Sequence, residues 1–144
     1  MIKKQKFTKD LRAERDSRGR KIIVQKGTRV VTLTEPMTNI DVRLQDMEKA
    51  GVNIQPLSLS VPGVDFLEPE VGLEYAQISN DEITNVCHRH PDHFVGIASV
   101  PLKSPEMAIQ QINRVVKELG MKGVCFGSNI DGLFIDDERF WPFF

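Results

Sequence analysis

Only two cysteines, one tryptophan and one tyrosine occur in 144 residues. Cys87 and Cys125 are too few and too far apart for a disulfide framework, which excludes small scaffolds stapled by such bridges. No run approaches the ~18 consecutive apolar residues of a membrane span. The opening MIKKQK has no apolar signal-peptide region. Neither sign of charge is in excess: the formal net charge is -1, so there is no global pull toward nucleic acid or anionic membrane. No phosphate-cradling glycine loop of the form GxxxxGKS, GxxxxGKT or GxGxxG is present. A cytoplasmic protein with reduced thiols, binding neither nucleic acid nor membrane, is expected.

What is there is a 40% hydrophobic chain. Its length suits one domain over 1–144 with one core, burying roughly two-thirds of the unfolded surface. Basic residues cluster early, in MIKKQK and LRAERDSRGRK, and read as a solvated terminus. FTKDLRAERD has the makings of a short helix. After it KIIVQ and TRVVTLT, two β-rich runs, flank Lys26-Gly27, a fair hairpin turn. Residues 1–35 are thus expected to form a helix and hairpin excursion ahead of the βα units of 36–144.

From Val52 onward short apolar runs alternate with helical patterns. VNIQPLSLS (52–60), FVGIASVPL (94–102) and GVCFGSNI (123–130) read as strands buried on both faces, as in a parallel sheet. NIDVRLQDMEKAG runs from an Asn39 cap to Gly51. SPEMAIQQINRVVKELG starts with Ser104 as N-cap and Pro105 at the first helical position, and Gly120 stops it. Ala108, Ile112, Val115 and Leu119 form one stripe of that helix, widened by Ile109 and Val116. The spacing implies about three βα units with right-handed crossovers. Periodicity does not decide between an open doubly wound sheet and part of a closed barrel. A complete (β/α)8 barrel normally needs about 250 residues.

All three histidines lie in CHRHPDH, Cys87 to His93. Histidine, cysteine and aspartate are common transition-metal ligands. EPEVGLEYAQISNDEITNVCHRHP, however, reads as one helix ended by Pro91, with Leu73, Ala76, Ile83 and Cys87 as its stripe and Asn80 as the polar interruption. On a helix His88 and His90 point about 200° apart and cannot share an ion. The segment reads as a helix end, with histidines near the negative pole of the helix, and no metal ligand is assigned within it.

The C-terminal IDDERFWPFF begins like a helix capped by Asp136 or Asp137. It then sets Phe140, Trp141, Phe143 and Phe144 within five residues. Such a cluster needs covering: either it folds back on the helices or the chain is cut where a larger protein continues. The second is the expectation.

DVRLQDMEKAGVNIQPLSLSVPGVDFLEPE, then NDEITNVCHRHPDHFVGIASVPLKSPEMAIQQINRVVKELGMKGVCFGSNIDG, and finally DDERFWPFF together resemble the aminocarboxymuconate-semialdehyde decarboxylase-like group of the amidohydrolase-related family. The likeness runs from about Thr8 to the end of the chain. It implies an α/β fold that is a partial (β/α)8 TIM barrel, with an N-terminal β-hairpin excursion and about three βα units. It also implies an N-terminal-half piece of a metal-dependent decarboxylase or hydrolase acting on small aromatic or muconate-type carboxylic acids. The family's zinc or manganese sits at the C-terminal mouth of the barrel, acting as a Lewis acid or activating water.

The family's first ligand pair, H-x-H, has no counterpart in MIKKQK. Its later ligands belong to strands beyond Phe144. The expectation is therefore no metal, no catalytic residue and no activity in the chain alone. The resemblance places Arg29 nearest the arginine that grips the substrate carboxylate, a task suited to guanidinium; an exposed hairpin arginine is the alternative. Ser60, Pro62, Gly63 and Phe66, and Ser128 with Asn129, follow strand ends where barrel sites are built. Ordinary loop chemistry is the other reading of these residues. A non-enzymatic binding or interaction module, pairing with another chain or a second copy through the aromatic C-terminus, is the alternative function.

Overall fold

Lys26 and Gly27 reverse the chain with φ of 49 and 77, the left-handed backbone of a two-residue hairpin turn. The computed structural model describes residues 11–65 and 67–144. The turn joins β2 (Lys21–Gln25) to β3 (Thr28–Thr32), and β1 (Leu11–Arg15) pairs antiparallel on the other edge of β2. The sheet order is β1-β2-β3. Ile22 and Val24 alternate inward on the central strand and are buried.

The short helix expected over FTKDLRAERD is corrected here. Leu11–Arg15 is a strand, and the Phe7–Asp10 part lies outside the described residues. Leu11 to Arg15 find partners from Gln25 back to Lys21. These non-local ladder bonds override a weak local helix preference.

A 3-10 turn over Glu35–Met37 leads into α1 (Ile40–Ala50). Asn39 caps α1, its side chain accepting from the Asp41 and Val42 backbone N–H groups. Gly51 closes the helix at φ 68, a conformation that glycine adopts without a Cβ penalty. The meander and α1 belong to a compact unit ending at Val52, and Asn53–Phe144 forms a second.

In the second unit β4 (Gln55–Leu57), β5 (Phe94–Ala98) and β6 (Gly123–Val124) run parallel in the order β4-β5-β6. Helices α2 (Pro69–Arg89) and α3 (Pro105–Lys117) make the crossovers. Ser104 caps α3 by accepting from the Met107 N–H. A hairpin of β7 (Asn129–Ile130) and β8 (Leu133–Phe134) follows β6.

The strands are shorter than the apolar runs that contain them. Val100, Pro101 and Leu102 are buried although they lie past β5. Their burial comes from packing, since Pro101 has no N–H to give a ladder. GVCFGSNI divides between β6 and β7, because the chain leaves the sheet after Cys125 donates to Ala98 O.

Two apolar clusters hold this unit. Val100, Leu102, Ala108, Ile130 and Phe140 form one, and Ala98, Val115 and Met121 the other. Each fully buried Val or Leu contributes about 1.5–3 kcal/mol against exposure. The predicted stripe of α3 needs one change: Gln111 is buried, while Val116 is half exposed.

The α2 stripe shifts more. Gly72, Ala76, Asn80 and Thr84 are its buried line, and Leu73, Ile83 and Cys87 flank it half-buried. Asn80 is thus central to the buried face and no interruption of it. The C-terminal helix is 3-10, Glu138–Phe143, capped by Asp137 and containing Pro142. Phe140 is buried and Phe143 packs on the first cluster, whereas Trp141 and Phe144 are 62% and 71% exposed. No helix among the described residues is long and apolar enough to cross a membrane.

Candidate functional site at the C-terminal edge of the parallel sheet

Because β4, β5 and β6 are parallel, the loops that follow them leave from one edge of the sheet. The loop after β4 carries Ser60, Pro62 and Gly63; Ser60 is exposed and Gly63 half-buried. Phe66, assigned to the same set from sequence, lies outside the described residues. The segment after β6 carries Ser128, and Asn129 opens β7; both are exposed. Five of the seven sequence-assigned residues, Ser60, Pro62, Gly63, Ser128 and Asn129, therefore follow β4 or β6 in one unit.

Asp65, half-buried, stands two residues past Gly63 in the first of these loops. Burial raises the Asp65 pKa above the ordinary carboxylate value, and the Gly127 N–H opposes that rise. Oδ1 is buried and has no hydrogen-bond partner among the described residues. Sequence reasoning missed Asp65. The available signal was an aspartate inside the apolar run VPGVDFL just past a strand end, a position that favours neither exposure nor a local cap.

Two ties hold this edge in shape. Asn80 on α2 donates from Nδ2 to Ser99 O at 2.9 Å, and accepts at Oδ1 from Ser99 N–H at 2.9 Å. Ser99 is the first residue past β5. Lys103 Nζ lies 2.8 Å from Asp131 Oδ2 and 3.7 Å from Glu68 Oε1, linking the β5–α3 loop to the β7–β8 turn and the start of α2.

Arg29 sits in the other unit, on β3, 54% exposed and 3.9 Å from Asp16 Oδ2. In that geometry it is a surface hairpin arginine with a long-range partner. CHRHPDH spans the junction between α2 and β5. His88 is exposed on the last helical turn, His90 follows the helix and stacks edge-on against Phe94 at 6.1 Å, and His93 Nδ1 lies 3.3 Å from Asn53 O. Among the described residues no group of three His, Cys, Asp or Glu side chains converges to hold a metal ion.

Residues 33–144 match the amidohydrolase family. The chain belongs to that family. It is 38% identical over 106 residues to a 2-amino-3-carboxymuconate-6-semialdehyde decarboxylase of Dictyostelium discoideum, covering 72% of this chain and 29% of that protein. Its fold superposes on the 5-carboxyvanillate decarboxylase of Sphingomonas paucimobilis with a TM-score of 0.68 and 32% identity, over 71% of this chain and 30% of the other.

Another similar structure is the dihydroxybenzoic acid decarboxylase of Polaromonas sp. JS666, with bound manganese and the inhibitor 2-nitroresorcinol. It matches with a TM-score of 0.66 and 30% identity, over 72% of this chain and 33% of that one. The chain spans about a third of the length of these relatives. The parallel βα arrangement is accordingly part of the barrel fold of amidohydrolase-type decarboxylases.

Proposed function

We propose that this chain supplies part of the substrate-binding mouth of a metal-dependent carboxy-lyase for small aromatic or muconate-type carboxylic acids. Hydrolysis is the family's other chemistry. The chain serves as one incomplete barrel-type domain over 1–144, works in the cytoplasm and is inactive alone. The observation that supports the reading is that the Ser60–Gly63 loop and the Ser128–Asn129 segment both follow strands of one parallel sheet and so leave from the same edge of it.

The two serine hydroxyls and the Asn129 amide suit hydrogen bonding to carboxylate oxygens. Arg29, in the other unit, is of a type suited to pairing with a carboxylate, and both it and Phe66 are assigned on residue type and family resemblance alone. Zinc or manganese would polarise the substrate in the full-length enzyme. The described residues offer no site for it, and no step is routed through it.

The test is metal analysis of the purified chain with a decarboxylation assay on dihydroxybenzoate and carboxymuconate-type acids, with and without added manganese. No stoichiometric metal and no turnover are expected. Carbon dioxide release by this chain alone would overturn the inactive-alone reading.

A second reading, an interaction module that pairs with another chain or with itself, draws on the exposed Phe134, Trp141 and Phe144. Size-exclusion chromatography with an apolar dye decides it. A monomer that binds no dye removes this reading.

A further inference from the structure

Charge is divided along this chain. Residues 1–29 carry eleven basic and three acidic side chains, whereas 30–144 carry eight basic and seventeen acidic ones. The near-neutral total conceals a cationic start and an anionic remainder. All seven Lys and Arg side chains of 11–29 are exposed, with Glu14 and Asp16 the acidic residues among them. Asp16 is held by Arg20 at 2.7 Å and lies 3.9 Å from Arg29. Lys21 and Lys26 have no acidic partner among the described residues. Arg15 and Lys21 stand directly opposite each other in register, a like-charge pair that costs a sheet stability when no anion answers it.

Their face of the meander also has an apolar centre. Ala13, Ile23 and Val31 lie opposite one another across the three strands. By strand alternation they share a face with Arg15 and Lys21, away from the buried Ile22 and Val24. Ala13 is exposed, and Ile23 and Val31 are half-buried.

The complement stands on α2. Glu70, Glu74, Ile78 and Glu82 follow at four-residue spacing and so lie along one helix face. All four are exposed, Ile78 at 43%. No lysine or arginine occurs in α2 before Arg89. Like charges four residues apart weaken a helix, and an isoleucine among them leaves apolar area in water.

We propose that the Ala13–Ile23–Val31 face of the meander is a docking surface for a second copy of this chain, which presents the Glu70–Glu82 face of its α2. Ile78 of the second copy covers the apolar centre, and its glutamates face Arg15 and Lys21. A second copy fits because every molecule brings both surfaces, and each supplies the charge and the apolar spot that the other lacks. Nucleic acid would answer the cations alone; residues 11–32 hold no aromatic ring on which a base could stack. The contact goes beyond the substrate-mouth reading and does not depend on it.

Sedimentation velocity of the full wild-type chain across a salt series is the first measurement and needs no variant. Association beyond the monomer is expected at about 20 mM salt, weakening by about tenfold or more at about 0.5 M, where screening is much shorter-ranged. Lys21→Glu with Lys26→Glu, and separately Glu74→Lys with Glu82→Lys, should each weaken association at low salt by about tenfold. All four changes in one chain should restore it to within about threefold of wild type, a rescue that unfolding does not produce. Ile78→Ser leaves the charge unchanged and should weaken association by about threefold.

A wild-type monomer at about 20 mM salt overturns the proposal, and does so equally if that monomer binds a labelled single-stranded oligonucleotide. Association that persists undiminished at about 0.5 M salt belongs to the exposed rings near the C-terminus and also overturns it. Charge reversals without effect do the same.

Discussion

The side-chain amide of Asn80 and the backbone of Ser99 exchange two hydrogen bonds, both at 2.9 Å, and both residues are buried. Ala98 N–H and C=O lie within the sheet, and Ser99 is the first residue without a strand partner. A helix side chain thus supplies the rung that a neighbouring strand would have supplied. The orientation of the amide is set by chemistry, because the Ser99 N–H requires an oxygen and the Ser99 C=O requires an N–H.

Replacing Asn80 by alanine leaves a buried donor and a buried acceptor on Ser99 without partners. At about 1–3 kcal/mol for a buried unsatisfied group, Asn80→Ala should cost about 3 kcal/mol of unfolding free energy. Urea unfolding followed by circular dichroism reads this directly. Asn80→Asp keeps the acceptor, loses the donor and buries a charge, so it should not restore the wild-type midpoint.

Gly72 on α2 is fixed by space. A Cβ there would lie 3.2 Å from Val64 O and 3.3 Å from Pro101 Cβ, a backbone carbonyl and a rigid ring. Alanine gains up to about 1 kcal/mol of helix propensity, and overpacking costs about 1–3 kcal/mol. Gly72→Ala should therefore lower stability, by about 1 kcal/mol net, in thermal melts.

Asp137 caps the last helix and grips Arg139, whose Nε and Nη2 donate to it at 2.8 and 3.1 Å. The Arg139 side chain, and then its backbone N–H, lower the Asp137 pKa to about 2. A folded pKa below the ordinary 3.8 means that the stabilisation is complete above 3.8 and is lost as pH falls through about 2. The sole tryptophan, Trp141, lies in this helix and donates from Nε1 to Asp136 O. Its fluorescence should change across that acid window in wild type and lose that transition in Asp137→Asn.

Asp81 and Arg114 join α2 to α3 at 2.6 Å, with side chains 46% and 29% exposed. Solvent screening limits such a pair to about 0–1 kcal/mol. Asp81→Ala should lower the urea midpoint slightly, and the difference from wild type should shrink at about 1 M salt.

Features set by neighbouring residues could be read from sequence. Asn39, Ser104, Gly51 and the Lys26-Gly27 turn act within one turn of chain, and each stands where its chemistry places it, whereas the helix expected to stop at Gly120 ends earlier, at Lys117. Features set by distant partners could not. LRAER is a strand because of β2, which comes later in the chain. Asn80 looked like a blemish on an apolar stripe because its partner lies 19 residues ahead. Asp65 is half-buried with Oδ1 unpartnered among the described residues, a setting that no neighbouring residue signals. CHRHPDH shows the converse. Its helix-end geometry was local, and it marks the α2–β5 junction.

The two units also differ in the order in which their contacts can form. The β1-β2-β3 meander closes through a two-residue turn and one short connection, so its pairs meet early at low entropic cost. β4, β5 and β6 meet only after a whole helix has been spanned each time. During synthesis or refolding the parallel sheet is therefore the later of the two to close. Its strand edges and the apolar segment Val100–Leu102 stay open to other chains for longer, and crowding in that interval limits the yield of folded protein.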